Sequence, residues 1–556
     1  MTDPDMGTWR YEYDTNGNLK RQTDARNNTI CFYYDTLNRL TNKYDQTGTP
    51  CPSPTPAPNP NVTYTYDDTT GGNRGVGRRT RMDYGTGNNT TWTYDARGRV
   101  TKGVYTISGA PSTSYMMQYT YNSLDQIITV TYPDNDVATQ VYNDRGMAVS
   151  LESTLTDLVP DTHYNLYGML NTLTLGNSLT TTYWYSSPTH PYRLAGITTA
   201  GPQGEHLQDL DYFYDNVDNI LTIDDASVTG GLDESQNFAY DAFHRMTHAY
   251  TSVSSFRSYD YTYGYSGIGK ITSLNSLAYF YDGTQPHAVR SVRGMGGQSQ
   301  PLTVHACGYW GNNGWPSMDV RVNGIYVLQR QTVNVSCTIP NQWGTYTVNA
   351  TLTGNDLIEV VYTNDSGARD LYVKDVQLPG GRAVYPAAGE TVYDLGNGSF
   401  ALDGRDVVRG QNRMMSSGAL RFVVGPSAYA AGYDENGNQT SRVLDGRAWL
   451  QGYDGENRLA VVTDTVTMAV TRFVYDGDGK RVMQIAPDGS KTVYIGQWYE
   501  ERQSVSKGRV RTSYYYLGGQ RVALRQGAVG QAGVVYYLHT DHLGSTSEVS
   551  TATASL

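Results

Sequence analysis

A Tyr-Asp pair followed by a turn recurs along this chain, and that repeat limits the folds open to it more than any other feature. The first copies read Tyr13-Asp14-Thr15-Asn16-Gly17-Asn18-Leu19 and Tyr34-Asp35-Thr36-Leu37-Asn38-Arg39-Leu40, and later ones begin at Tyr94, Tyr121, Tyr142, Tyr164, Tyr214, Tyr240, Tyr433, Tyr453 and Tyr475. Successive copies lie 20 to 27 residues apart within each run, a period that marks a stacked array of supersecondary units. Each unit reads as a hairpin. Tyr ends a strand, Asp or Asn opens the turn by accepting backbone N–H bonds, and the fifth position (Gly17, Asn38, Gly98, Asp125, Gly146, Asp218, Gly437, Asn457) holds a residue that tolerates positive φ. One hairpin alone is marginal, but neighbours pairing edge to edge give a continuous sheet whose stability is collective. The Tyr ring, rather than its hydroxyl, is expected to carry most of each repeat's stabilisation.

Composition agrees with an all-β chain. Tyr numbers 48 against 9 Phe, Gly numbers 59, and only 17% of residues are charged. Strand-forming aromatics and turn-forming residues abound, while runs of Ala, Leu, Glu and Lys long enough for helices are nearly absent. The mean hydropathy of −0.52 comes from Thr, Asn, Asp and Tyr, as suits many short, half-exposed strands better than disorder. At 556 residues the chain exceeds one ordinary domain, so it divides into about three or four folding units or carries an insertion. With 42 Lys and Arg against 53 Asp and Glu the net charge is −11, which gives no attraction to phosphate backbones and argues against nucleic acid as a partner. No stretch approaches the roughly 20 apolar residues of a membrane helix, and Met1 to Arg10 contains no apolar core of a signal peptide. Either the protein is not exported by that route, or this is an internal piece of a longer exported chain.

The pattern Tyr-Asp-x-x-Gly/Asn-Arg/Asn-Leu, together with Tyr537-Leu538-His539-Thr540-Asp541-His542-Leu543-Gly544-Ser545 near the end, resembles the tyrosine-aspartate repeats of the Rhs family, which is related to teneurins and to the shell subunits of insecticidal Tc toxins. The resemblance covers about 1–290 and 425–556. It implies a spiralling β-sheet, either a shell or an open array, and in that family the shell often encloses a C-terminal toxin. This chain is short for a closed cocoon and stops at Leu556, before the self-cleavage region and variable toxin that commonly follow. An open array would leave two unpaired sheet edges, through which self-association is expected.

The period fails between about Gly283 and Gly432, so the chain divides into a first array over 1–290, an inserted domain over 295–426 and a second array over 427–556. Alternating apolar residues in Trp315 to Gly324 and in Ile358 to Asp365 predict antiparallel strands of a β-sandwich. Within it, Thr363-Asn364-Asp365-Ser366-Gly367-Ala368-Arg369-Asp370-Leu371 sets two carboxylates five residues apart across a Ser-Gly turn. By composition this is an ordinary polar turn or a small oxygen-rich bowl of the kind calcium favours. Thr-Asn-Asp followed by Arg-Asp-Leu, preceded by Trp-Pro-x-Met-x-Val-x-Val-Asn-Gly and followed by Tyr393-Asp394-Leu395-Gly396, Asp403-Gly404-Arg405-Asp406-Val407 and Gly418-Ala419-Leu420-Arg421-Phe422, is similar to the calcium-dependent xylan-binding modules of carbohydrate-binding families 36 and 60. That resemblance implies Ca2+ as cofactor, Asp365 and Asp370 as its carboxylate ligands with backbone oxygens of the same loop as helpers, and sugar hydroxyls completing the coordination. Thr363 and Asn364 would then lie at the sugar site, with Trp343 or Trp310 as a stacking platform, although a Trp in a sandwich serves equally well as core.

Cys31, Cys51, Cys307 and Cys337 match no zinc spacing. Bridges 31–51 and 307–337 would each close a local loop, and free buried thiols are the alternative. His539, Asp541 and His542 read as structural, because two ligands three residues apart on a strand point to opposite faces. Tyr475-Asp476-Gly477-Asp478-Gly479 falls in repeat register and reads as a hairpin turn, and the Pro-rich stretch from Thr49 to Pro60 as a surface loop. No nucleophile elbow, metalloprotease helix or phosphate loop occurs. The expected protein is thus noncatalytic and extracellular or on a cell surface: a repeat scaffold displaying a calcium-dependent module for a polysaccharide with equatorial vicinal hydroxyls, xylan-like or otherwise. A fragment of an Rhs-type toxin-encapsulating shell is the alternative.

Overall fold

The computed structural model is all-β, built from antiparallel hairpins, and no α-helix occurs among the described residues. The structure describes every residue except 46–50, 52–59, 187–191, 205, 227–234, 252–258, 275–276, 282–284, 295–297, 313, 340–341, 353–355, 366–368, 379–382, 387–391, 396–406, 410, 416, 425–428, 445–446 and 553–556. Most of the Pro-rich stretch, the Ser-Gly turn at 366–368, the Asp403 to Asp406 motif and the module ends at 295 and 426–427 therefore lie outside the described residues. No described helix is long and apolar enough to cross a membrane. The chain forms two compact units, 1–61 with 264–473 and 62–263 with 474–556.

Turn chemistry makes the hairpins. Asp14 Oδ1 accepts the N–H groups of Asn16 and Asn18 at 2.9 and 2.8 Å, and Asp35, Asp95, Asn122, Asp215, Asp434 and Asp454 do the same for residues two and four places on. All eight fifth positions have positive φ, from 60° at Asn38 and Asn457 to 84° at Gly17 and Gly98. Tyr475 to Gly479 follows the same pattern: Asp476 Oδ1 accepts from Asp478 and Lys480, and Gly479 has φ 85°.

The Tyr hydroxyls do more than the sequence leads one to expect. Tyr34 donates to the carbonyl of Leu19 at 3.0 Å, Tyr121 to Val100 at 2.7 Å, Tyr142 to Ile127 at 2.9 Å, Tyr214 to Leu194 at 2.7 Å and Tyr453 to Gln439 at 3.1 Å. Each acceptor opens the second strand of the preceding hairpin, so every such hydroxyl ties one repeat to the previous one. Ring burial is therefore only part of the Tyr contribution. Tyr121→Phe or Tyr214→Phe should each cost about 1 kcal/mol, the net worth of one hydrogen bond. Gly437→Val should cost about 2–3 kcal/mol, because it forces a β-branched residue into the left-handed region and its Cβ would stand 2.9 Å from the Asp5 carbonyl oxygen. Urea midpoints of the three variants give the ranking, and equal losses would contradict this account of the turn.

In the first unit the strands Arg10–Tyr13, Leu19–Thr23, Thr29–Tyr34 and Leu40–Asp45 pair in sequence order. Later repeats of the same unit meet them: Arg26 pairs with Asp434 at 2.8 Å and Lys43 with Glu456 at 2.8 Å. Val289–Gly294 pairs directly with Tyr429–Tyr433, so the chain leaves the array between them and returns to the adjacent strand. The intervening residues form a five-stranded and a six-stranded sheet. Their facing sides close over Leu302, Val304, Val373 and Val376 from one and Met318, Val320, Ile358, Val360 and Phe422 from the other. The strand Asp356–Tyr362 is buried along its whole length. Its alternate residues turn the other way, Leu357 onto Ala430, Val443 and Ala448 of the array and Glu359 onto Arg421 at 2.9 Å.

In the second unit, strands from Val62–Tyr66 to Asp157–Val159 form a meander whose inner face meets the strands from Arg481–Ile485 to Thr546–Thr551. Tyr115 packs on Tyr499 with ring centroids 6.1 Å apart, and Tyr132 on Tyr515 at 5.3 Å. The cysteines form bridges 31–51 and 307–337, with Cα atoms 5.7 and 5.1 Å apart, and no described cysteine is free.

Candidate functional site

The loop from Thr363 to Asp370 joins two core strands of the inserted sandwich, Asp356–Tyr362 and Leu371–Gln377. Asn364 anchors it: its Oδ1 accepts the N–H of Ser317 at 2.6 Å and its Nδ2 donates to the carbonyl of Trp315 at 3.1 Å. Asn364 thus fixes the loop through its side chain, and Thr363 beside it is exposed.

The carbonyl oxygens around the loop already have a cation. Arg369 Nη1 donates to Asn364 O at 2.7 Å, its Nε to Gly311 O and Gly314 O at 3.2 and 3.3 Å, and its Nη2 to Gly311 O and Asn312 O at 3.1 and 3.2 Å. A guanidinium therefore sits among four carbonyl groups, and the Asn364 carbonyl, one of the backbone helpers that the sequence suggests for a metal, is committed to it. The sequence displays Arg369 within its motif but gives no sign of this role, because three of the four acceptors, Gly311, Asn312 and Gly314, come from a segment more than fifty residues upstream.

Both carboxylates act electrostatically on Tyr362. That residue is 1% exposed and its hydroxyl donates to Arg369 O at 2.6 Å. Burial, then the Asp365 carboxylate, and more weakly Asp370, push the phenol well above its usual range. Asp365 is exposed. Asp370 is 6% exposed, and Arg413 approaches its Oδ2 with Nε at 3.1 Å and Nη2 at 2.6 Å, leaving Oδ1 outside that pair. Among the described residues no group of three or more Asp, Glu, His or Cys side chains could hold a metal ion.

Aromatic residues lie close by. Tyr309 N–H donates to Asp370 O at 3.0 Å, which puts the next residue, Trp310, beside the loop. Trp310 is 55% exposed and meets Trp315 edge-on at 5.4 Å. Trp343, partly buried, precedes the strand Gly344–Leu352, and among the described residues no ring contact joins it to the loop. Arg413 also lies over the rings of Tyr309 and Tyr372, at 5.8 and 5.5 Å. Tyr309, Tyr372 and Arg413 are members of the site that sequence reasoning missed.

His539 and His542 lie elsewhere, in the second unit. His539 is the penultimate residue of the strand Val534–Thr540, its Nε2 2.8 Å from Ser550 Oγ, and His542, in the following turn, packs on Tyr212 at 4.9 Å.

No family model and no curated protein matches the chain. Solved structures do. A crystal structure of TcdB2-TccC3 matches all of this chain and 24% of its own, with TM-score 0.60 and 15% identity. A structure of the Photorhabdus luminescens Tc holotoxin pore matches all of this chain and 23% of its own, with TM-score 0.58 and 14% identity. The chain therefore spans about a quarter of the length of these structures, and at such identities the likeness is one of fold. A structure of vCBM60 in complex with galactobiose aligns with 22% of this chain and 98% of its own at 22% identity, but its TM-score of 0.17 carries no structural argument. The fold is that of these neighbours: all-β, with large antiparallel sheets.

Proposed function

We propose that the inserted sandwich is a calcium-dependent polysaccharide-binding module, displayed by a noncatalytic β scaffold outside the cell or on its surface. The observation that carries this reading is that Asp365 and Asp370, one exposed and one buried, both act electrostatically on the Tyr362 phenol, while the Asp370 carbonyl accepts the N–H of Tyr309, the neighbour of the exposed Trp310. The similarity of the loop motifs to carbohydrate-binding families 36 and 60 supports it. Asp365 and the Oδ1 atom of Asp370 would hold the ion, which supplies open coordination positions for a vicinal diol. Asn364 holds the loop in place, and Trp310 offers a face for a sugar ring, so affinity is modest at so open a site.

A second reading is favoured by the match of the whole chain to TcdB2-TccC3: the arrays are part of an Rhs-type shell that encloses a toxin, with the module as its external attachment. Association of copies through free sheet edges belongs to the same proposal.

Isothermal titration of the full chain with xylan, galactan and glucan fragments tests the site. A calcium-dependent component should appear with at least one of them, and chelator and Asp370→Ala should each remove that same component while the far-ultraviolet circular dichroism stays native. Isotherms indifferent to both chelator and Asp370→Ala would overturn the proposal.

A further inference from the structure

The second unit contains a cleft of about 610 Å³ between the hairpins around Gln126, Tyr142 and Tyr164 and the two turns at Gln497–Trp498 and Gly518–Gly519. We propose that this cleft binds a neutral sugar chain without calcium, as a site separate from the sandwich loop.

The chemistry of the lining leads to that ligand. Four aromatic rings, Tyr142, Tyr164, Trp498 and Tyr516, face the cleft. The hydroxyls of Tyr142 and Tyr164 are spent on the carbonyls of Ile127 and Ala148, at 2.9 and 2.7 Å, and that of Tyr516 on Gln497 O at 2.8 Å. These rings therefore offer apolar faces. Trp498 is held edge-on by Tyr516, centroids 4.9 Å apart, and its indole N–H has no hydrogen-bond partner among the described residues. Such rigid, half-exposed rings match the C–H faces of pyranose sugars.

The polar atoms are unbalanced toward donors. Gln140 is 9% exposed. Its Oε1 accepts the N–H of Gly518 at 3.1 Å, while its Nε2 has no partner among the described residues. This amide N–H opens onto the cleft and is free to donate to an acceptor on a ligand there. The one carboxylate in the lining, Asp125, is already paired with Arg97 and Arg99 at 3.0 and 2.8 Å. Two donors open to the cleft, Gln140 Nε2 and Trp498 Nε1, together with a lining whose one carboxylate is already paired, suit a neutral ligand rich in acceptor oxygens. A sugar hydroxyl accepts two hydrogen bonds for each one it donates, whereas every non-proline peptide unit brings an N–H that needs an acceptor.

The test uses the full chain in excess chelator, which silences the calcium-dependent site and so keeps the two proposals distinguishable. Cellohexaose, xylohexaose and galactohexaose are titrated while tryptophan fluorescence and heat are recorded. At least one should bind with saturation, Trp498→Ala should weaken it at least tenfold, Gln140→Ala should weaken it several-fold, and Asp370→Ala should leave it unchanged. Trp498→Phe keeps a ring in place and guards against loss of fold; it should bind more weakly than the native chain and more tightly than Trp498→Ala. No saturable binding in chelator, or binding equal in the native chain and Trp498→Phe and Gln140→Ala, would overturn the proposal. So would Trp498-dependent binding of a proline-rich peptide in place of every sugar.

Discussion

Arg525→Met should destabilise the second unit by about 3–5 kcal/mol, the usual consequence of removing one partner from a buried ion pair. Arg525 is 2% exposed. Its Nη2 lies 2.6 Å from Asp134 Oδ2 and 3.2 Å from Asp136 Oδ2, and its Nε donates to the Tyr515 hydroxyl at 2.8 Å. Tyr515 in turn donates to Asp136. Arg511 also pairs with Asp134, at 3.0 Å, so the carboxylate left most exposed to the loss is Asp136, itself 4% exposed. Desolvation is then no longer offset by an opposite charge. Urea unfolding followed by fluorescence measures the change, and adding Asp136→Leu to Arg525→Met should recover part of it by removing the stranded charge. A shift under about 1 kcal/mol would mean that these groups behave as a surface pair.

Acid should weaken the same unit through His539. Burial of this imidazole, 2% exposed, lowers its pKa from 6.5 to about 4, and its Nδ1 has no partner among the described residues while Nε2 meets Ser550. The folded state thus favours the neutral ring, whereas the unfolded chain takes up a proton near pH 6.5. The stabilisation is complete above pH 6.5, falls as the unfolded state protonates, and is lost once the pH passes the folded value near 4. That difference corresponds to about 3 kcal/mol. His542, also lowered by burial, acts in the same direction. Urea midpoints at pH 7.5 and 4.5 for the native chain and His539→Phe separate this effect from carboxylate titration, since the variant should lose distinctly less stability on acidification. Equal losses would place the proton elsewhere.

What the amino-acid sequence discloses is what neighbours within a few residues decide. The positive φ at Gly17, Asn38, Asp125 and Gly437 follows from a turn whose Asp or Asn opens it and whose fifth residue must enter the left-handed region, all inside seven consecutive positions. The local pairing of Cys31 with Cys51 and of Cys307 with Cys337 joins residues 20 and 30 apart, close enough for spacing to favour it over longer bridges. The segment from Thr363 to Asp370 shows its two carboxylates in the same local way, but their reading as calcium ligands comes from the resemblance to carbohydrate-binding families 36 and 60. Tertiary structure alone decided the remainder. Arg525 meets Asp134 and Asp136 across some 390 residues, and Gln140 meets Gly518 across 378. Three of the four carbonyls around Arg369 belong to a segment more than fifty residues upstream, and Arg413 claims Asp370 from 43 residues away. Each of these contacts depends on which strands are brought face to face by the stacking of many hairpins. A period of about twenty residues fixes that a strand exists and where it turns, but the identity of the side chain opposite it is set by the packing of the whole unit, for which no local pattern holds a record.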